Sequence, residues 1–318
     1  YIKFLFIFLL NALFPAMATV AARHPQPENR PASPSETKVC WIKNGERRIY
    51  GILSRPQDRK GKQPVAIIAH GFNGTHHGGK SYFETLNALG FQCYSFDFPG
   101  GSVHSRSDNN TMNMSILDEQ NDLEAVVRHF KTQPDTDPDR IILIGESQGG
   151  LVSALTAAHI VSDIRALILV FPAFCIPDNW NTRYPHTTDI PDTTRLWNVA
   201  LSRRFFTELQ DMKVFKTIRK FRKPVLLIHG DADPIVPVDY SRQAAKTYKN
   251  ARLHVIPGAG HGFKPQEQTE ALRQIQLFIT EIILDRAQSR QTIPRNGNNK
   301  FTINQIAFYN VFYQHEKH

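Results

Sequence analysis

The five residues Gly145-Glu146-Ser147-Gln148-Gly149 have the types and spacing of a nucleophile turn. The apolar run 141–144 leads into Gly-x-Ser-x-Gly, and residues 151–158 follow with helical character. Strand, tight turn and helix is the context in which this spacing lifts a serine hydroxyl to a strand's end. Gly145 and Gly149 lack the side chains that would clash where strand and helix crowd together. A serine hydroxyl is a weak nucleophile until a base takes its proton. The base is a histidine, held in one tautomer by a third, usually acidic, group. In an open parallel sheet such groups collect outside the carboxyl ends of the strands.

An acid and a histidine are therefore expected directly after later strands, and both are present. His229-Gly230-Asp231-Ala232-Asp233-Pro234 follows one apolar run, and Gly258-Ala259-Gly260-His261-Gly262-Phe263 follows the next. Asp231 stands directly after a glycine, where an aspartate commonly stabilises its own turn. Asp233 lies further out in the loop and takes the catalytic role, with Asp231 as the alternative. Among the histidines, His254 falls inside a strand pattern, and His70 and His229 end strands ahead of glycines and brace loops. His261 alone sits in a glycine-rich loop after the last strand, and is the expected base. Acyl transfer also needs N–H donors for the developing oxyanion. One is the main chain of Gln148, directly after the nucleophile. The other comes from the loop His70-Gly71-Phe72-Asn73-Gly74, with Phe72 as the donor.

These groups need a scaffold of strands ending at one rim. Residues 39–42 and 47–53 flank Asn44-Gly45, a hairpin signal and an antiparallel start. Residues 65–69, 91–96, 141–144, 166–170, 225–229 and 252–256 read as strands. Residues 71–79 read as a glycine-rich loop. Helical patterns fall at 81–89, 118–131, after Ser147, at 239–248 and at 266–284, and residues 134–139 read as a break. Alternating strands and helices imply an α/β fold, a mostly parallel sheet with helices on both faces. Residues 172–221 depart from this rhythm. They show no clear strand and are expected to form an insertion covering the sheet's edge. The expected domain spans 38–286, with the lid insertion at about 173–221.

The chain has 318 residues, 41% hydrophobic, with a net charge of +9. That suits one large α/β domain or two small ones. No basic cluster with interleaved aromatics stands out, so nucleic acid is not an expected partner. Three cysteines, Cys40, Cys93 and Cys175, do not make a disulfide framework. Cys93 reads as a buried small hydrophobe. No metal-binding spacing occurs and no cofactor is expected. Lys3, the apolar run 4–14 and Ala16-Met17-Ala18 have the layout of a secretory signal peptide over residues 1–22. The run is short of the roughly 20 residues of a membrane span. Secreted or periplasmic location is expected, an uncleaved anchor being the runner-up. Residues 23–37 read as a linker, and 287–318 as a polar, then aromatic, tail, with disorder as one reading of it.

With these residues in hand, the chain resembles the α/β-hydrolase superfamily, whose triad runs in the order serine, acid, histidine. More narrowly it resembles the bacterial cinnamoyl (feruloyl) esterases. The matching pieces are His70-Gly71-Phe72, Phe96-Asp97-Phe98-x-Gly100, Gly145-Glu146-Ser147-Gln148-Gly149-Gly150, Phe171-Pro172-Ala173, His229-Gly230-x-x-Asp233-x-x-Val236-Pro237 and Gly258-Ala259-Gly260-His261-x-Phe263. They span residues 51–283. Many relatives carry Gly-His-Gly after the aspartate, whereas here Pro99-Gly100-Gly101 precedes Ser102. The resemblance implies a serine carboxylesterase acting on small-molecule or carbohydrate-linked esters, hydroxycinnamoyl esters of plant cell-wall sugars in particular. Its acid-recognition segment would be the insertion, offering Asp178, Trp180, Tyr184 and Trp197, whose aromatics either stack on a phenolic ring or pack the lid's own core. The alternatives are a single-domain serine peptidase of prolyl oligopeptidase or acylaminopeptidase type, and a non-catalytic surface binding module.

Overall fold

The computed structural model describes residues 35–57 and 60–291, with side chains to residue 282. The expected signal peptide, most of the linker and the tail beyond 291 lie outside the described residues. In chain order the elements are β1 (Ser35–Asn44), β2 (Arg47–Pro56), β3 (Gln63–Ala69), α1 (His76–Gly79), α2 (Phe83–Ala88), β4 (Gln92–Phe96), α3 (Ile116–Thr132), β5 (Thr136–Glu146), α4 (Ser147–His159), β6 (Ala166–Val170), α5 (Ile176–Arg183), β7 (Thr193–Leu196), β8 (Val199–Ser202), α6 (Arg203–Thr207), α7 (Val214–Ile218), β9 (Val225–Gly230), α8 (Val238–Thr247), β10 (Ala251–Ile256) and α9 (Pro265–Gln291). Eight strands form one sheet in the order β1-β2-β4-β3-β5-β6-β9-β10. β2 is antiparallel to both β1 and β4, and the remaining neighbours are parallel.

The strands are apolar on both faces because helices cover both. Ile67, Leu143, Leu167 and Leu227 point to one side and pack with Val126, Phe130, Leu151 and Leu155 of α3 and α4. Their alternates Ile68, Ile142, Ile168 and Leu226 point to the other and meet Leu86 of α2 and Ile275, Phe278 and Ile279 of α9. Along α9 the buried residues Ala271, Ile275, Phe278, Ile279 and Ile282 recur at helical spacing, the stripe that docks it. α3 is started by Ser115, whose hydroxyl accepts from the Asp118 N–H at 3.1 Å.

Several expectations need correction. The strand begins at Ser35, inside the expected linker, because β1 pairs with β2 over its whole length. The loop after β3 holds the short helix α1. β5 starts at Thr136, within the expected break, and Gln63 of β3 pairs there after a register shift. α9 continues into the expected tail. The insertion contains a two-stranded hairpin, β7–β8. Its turn residues Trp197 and Asn198 both have positive φ, 45° and 65°, without a glycine to announce them. The insertion lines the cavity beside Ser147 at the carboxyl end of β5, with its inner residues Tyr184, Val199, Leu201, Phe205 and Phe206 continuous with the α3–α4 core.

Candidate active site

β5 runs straight into α4, and the junction is Ser147. Its φ of 50° is a left-handed conformation that costs a non-glycine residue about 1–3 kcal/mol. Close packing enforces it. A Cβ on Gly145 would stand 2.4 Å from the Gly149 carbonyl oxygen, and one on Gly149 would stand 2.3 Å from that of Ala69. Only glycine at both positions lets the helix start this close to β3 and β5. The strain aims the serine side chain out of the sheet's carboxyl end.

Ser147 Oγ lies 2.9 Å from His261 Nε2, and His261 Nδ1 lies 2.7 Å from Asp233 Oδ2. The imidazole sits after β10 and the carboxylate after β9, so the three chain-distant side chains meet at one rim. A carboxylate can only accept, so Nδ1 carries the proton and Nε2 is free to accept the serine proton. Burial works to raise the Asp233 pKa. Hydrogen bonds from the Val236 N–H, the His261 ring and the Ile235 N–H outweigh it and hold the carboxyl below its ordinary value. Asp233 is thus a fixed anion against the imidazole. The alternative acid, Asp231, instead accepts from the Gly258 N–H at 2.6 Å, tying its own loop to the histidine loop.

His229 contributes more than a loop brace. Its Nε2 lies 3.2 Å from Asp233 Oδ2 and 3.0 Å from the Val236 carbonyl oxygen, and its Nδ1 lies 2.7 Å from Ser241 Oγ. The carbonyl requires the proton on Nε2, so Nδ1 accepts from the Ser241 hydroxyl. Burial lowers the His229 pKa and keeps the ring neutral. The neutral His229 ring is therefore a second donor to the same Asp233 oxygen that faces His261. His70 is a brace, its Nδ1 donating to the Gly71 carbonyl at 2.7 Å and its Nε2 accepting from the Phe98 N–H at 3.0 Å. His254 pairs with Glu270 at 3.1 Å, away from the site.

Gln148 lies in the first turn of α4, where backbone N–H groups have no intrahelical acceptor. The Gly71–Phe72 segment passes beside the nucleophile, since a Cβ on Gly71 would come 3.0 Å from Ser147 Cβ. The Phe72 N–H meets no backbone acceptor among the described residues. Two free N–H groups thus flank Ser147, the arrangement that stabilises an oxyanion. In both residues the donor is the main chain.

A cavity of about 390 Å³ opens beside Ser147, walled by Phe72, Ile176, Trp180, Leu196, Trp197 and Phe205, with Gln148, Asn179 and Arg183 among its polar members. Trp197 is 63% exposed at the hairpin tip and meets Phe72 with ring centroids 5.9 Å apart. Trp180 lines the cavity, stacks on Tyr184 at 6.0 Å and packs edge-on against Phe206, so it serves cavity and lid core together. Tyr184 is buried in that core. Asp178 is a correction. It is absent from the wall, and its carboxylate accepts from the Tyr240 hydroxyl at 2.9 Å. One turn before Thr182, it faces α8 rather than the serine.

Sequence reasoning missed three supporting carboxyl groups. Tyr82 donates to Glu146 Oε1 at 2.5 Å, next to the nucleophile, and burial raises the Glu146 pKa against the opposing influence of that hydrogen bond and of His261. On α3, Asp122 bonds Asn44 at 2.6 Å and Arg47 at 3.0 Å, clamping the β1–β2 hairpin. Glu119 is 1% exposed, and burial pushes its pKa up to about 8. Both charges interrupt the apolar stripe of α3, a signal readable in the sequence. A raised folded-state pKa means the fold holds the proton more tightly than the unfolded chain does. The Glu119 contribution is then fully present below the unfolded value of about 4.3 and is lost as pH rises towards about 8. Glu119→Gln should flatten this fall, which urea midpoints at pH 5 and 8.5 would reveal. Among the described residues no cluster of His, Cys, Asp or Glu could hold a metal ion, and no helix is long and apolar enough to cross a membrane.

The model of the prolyl oligopeptidase family matches residues 79–285. The structure of Est1E from Butyrivibrio proteoclasticus with ferulic acid bound is similar, with a TM-score of 0.71 and 30% identity, over 77% of this chain and 99% of that one. The uncharacterised peptidase YtmA of Bacillus subtilis is 20% identical over 74% of this chain and 90% of its own. The uncharacterised protein Rv2307c of Mycobacterium tuberculosis is 27% identical over 71% of this chain and 73% of its own.

Proposed function

The chain belongs to the prolyl oligopeptidase family and is an α/β-hydrolase of esterase type, and on that premise we propose that it hydrolyses hydroxycinnamoyl esters. The observation that carries the reading is the aromatic cavity beside Ser147, walled by Trp180 and Trp197, together with the likeness to the ferulate-bound Est1E. Aromatic walls suit a flat ring, and Asn179 and Arg183 in the same lining offer donors to its polar end. Arg183 itself lies over Trp180 and Tyr184, 5.6 and 5.5 Å from their centroids.

In this reading Ser147 attacks the ester carbonyl while His261 Nε2 takes its proton. Asp233 holds the imidazole in the right tautomer and stabilises the imidazolium. The N–H groups of Phe72 and Gln148 receive the oxyanion. His261 returns the proton to the departing alcohol, leaving an acyl-serine. Water, deprotonated by the same nitrogen, then releases the acid. No step calls for a cofactor.

The test is side-by-side hydrolysis of methyl ferulate, short p-nitrophenyl esters and aminoacyl p-nitroanilides. The highest kcat/KM is expected with methyl ferulate. Preference for an anilide would replace the esterase reading with the peptidase one, towards which the family match and the likeness to YtmA point. Trp180→Ala and Trp197→Ala should each raise KM for methyl ferulate by about 2–10-fold, a loss of roughly 0.5–1.5 kcal/mol of aromatic contact, and change p-nitrophenyl acetate turnover far less. Export is part of the same proposal, resting on the residue 1–22 pattern. Cell fractionation should place the protein outside the cytoplasm.

A further inference from the structure

Glu119 faces the oxyanion machinery from behind. Its Oε2 accepts from Gln148 Nε2 at 2.9 Å, and Gln148 is itself buried, its amide otherwise touching Met114 Sδ at 3.6 Å. The other carboxyl oxygen rests on the turn after β4, since a Cβ on Gly101 would stand 2.9 Å from Glu119 Oε1. That turn fixes the opposite donor. The Gly101 carbonyl accepts from the Asn73 N–H at 3.0 Å, and the Ser102 hydroxyl donates to the Asn73 carbonyl at 3.1 Å. Asn73, at a φ of 56°, directly follows Phe72. One carboxyl group therefore touches both the residue that carries one N–H and the turn that holds the other.

We propose that Glu119 is a positioning residue for the oxyanion hole, locking the Gln148 side chain to the residue 100–102 turn so that the Gln148 and Phe72 N–H groups converge on one oxygen. The proposal rests on the serine-esterase reading of the site and is independent of the acyl group. The charged and titratable groups around Glu119 are few. Asp118 and Asp122 share its helix and are paired with Arg204 at 2.7 Å and Arg47 at 3.0 Å. His70, beyond Gly101, is kept neutral by burial, and α4 presents only the Gln148 amide. Burial, reinforced by Asp122 and Asp118 and opposed by the Gln148 hydrogen bond, pushes the Glu119 pKa up to about 8. Below that pH the group is a neutral acid that fits its dry seam. Above it, the carboxylate draws water into the seam and loosens the lock.

The experiment compares wild type, Glu119→Leu and Glu119→Gln on p-nitrophenyl butyrate from pH 6 to 9.5, with thermal melts alongside. Glu119→Leu should lower kcat by about 10–100-fold with KM within about twofold, less than the 10²–10³ of losing an oxyanion donor outright. Wild-type kcat should decline above about pH 8, and Glu119→Gln, an isostere of the neutral acid, should recover most of the lost kcat at pH 7 and abolish that decline. Unchanged kcat in folded Glu119→Leu, or an alkaline decline that persists in Glu119→Gln, overturns the proposal. If Glu119→Leu does not fold, the pH profile of Glu119→Gln decides alone. The parent reading has its own control in Ser147→Ala, which must abolish the same turnover. Undiminished activity there overturns the esterase reading, and this proposal with it, whatever the Glu119 variants do.

Discussion

Replacing Ser147 by alanine should lower ester turnover by about 10⁶-fold, and Asp233→Asn by about 10⁴-fold, with little change in KM. The serine loss removes the covalent route altogether. The asparagine change is subtler. Asp233 Oδ1 already accepts from the Ile235 and Val236 N–H groups at 2.8 and 2.9 Å, so an asparagine would keep its carbonyl there and turn its amide towards His261. An amide N–H facing Nδ1 drives the imidazole proton to Nε2, the nitrogen that must accept from Ser147 at 2.9 Å. The same amide would oppose the His229 Nε2–H, which now donates to Asp233. Asp231→Asn should stay within a few-fold of wild type, because an amide oxygen can still accept from Gly258. Single-turnover measurements with a p-nitrophenyl ester separate these outcomes. Equal losses for Asp231→Asn and Asp233→Asn would refute the assignment of the acid. Ser147→Ala combined with His261→Ala should be no worse than either alone, since the residues act as one unit.

The parts of this site legible in the sequence were those set by short-range chemistry. Gly145 and Gly149 mark the elbow because packing allows no side chain at either place. Asp233 and His261 were found because strands 225–230 and 251–256 end directly before them, and apolar runs are unambiguous. What stayed hidden depends on contacts between distant segments. Nothing local in Asp178 shows that it reaches Tyr240 rather than the cavity. The β7–β8 hairpin escaped because its turn residues, Trp197 and Asn198, hold positive φ without glycine, a conformation enforced by the surrounding fold. Residues 136–140 look like a break, with Pro138 among charged neighbours, yet they extend β5 at its exposed end, where proline removes no ladder bond that the sheet needs. His229 reads as a strand terminus, and its grip on Asp233 appears only once the loop folds back upon it. The buried carboxyl groups of α3 stood in plain view on an apolar face, and only the fold shows which partners make them tolerable.

Gly149→Ala should place a damaging methyl group at the nucleophile turn itself. The added Cβ would lie 2.3 Å from the Ala69 oxygen, 2.4 Å from the His70 oxygen and 2.7 Å from the Ala69 carbonyl carbon. All three are backbone atoms at the end of β3, a strand paired on both sides by β4 and β5, so they cannot swing away as a side chain would. Relief requires the first turn of α4 to withdraw by about 1 Å, a displacement that alone costs on the order of 10²-fold in rate. The withdrawal also moves the Gln148 N–H away from Phe72 on the opposite loop, so the oxyanion donors separate as the nucleophile shifts. Overpacking of this kind costs about 1–3 kcal/mol or more, which for a domain of this size lowers Tm by roughly 5–10 °C. The expected result is a protein folded at 25 °C whose kcat is down by at least about 10²-fold. Gly150→Ala is the milder comparison, because its Cβ would meet Pro172 at 2.9–3.0 Å and the Gly145 carbonyl oxygen at 3.1 Å, against 2.3 Å for the tightest contact of a Gly149 Cβ. It should lose stability with a much smaller effect on kcat. Rate loss in Gly150→Ala equal to that in Gly149→Ala would mean that general loosening, and not the separation of the two donors, sets the rate.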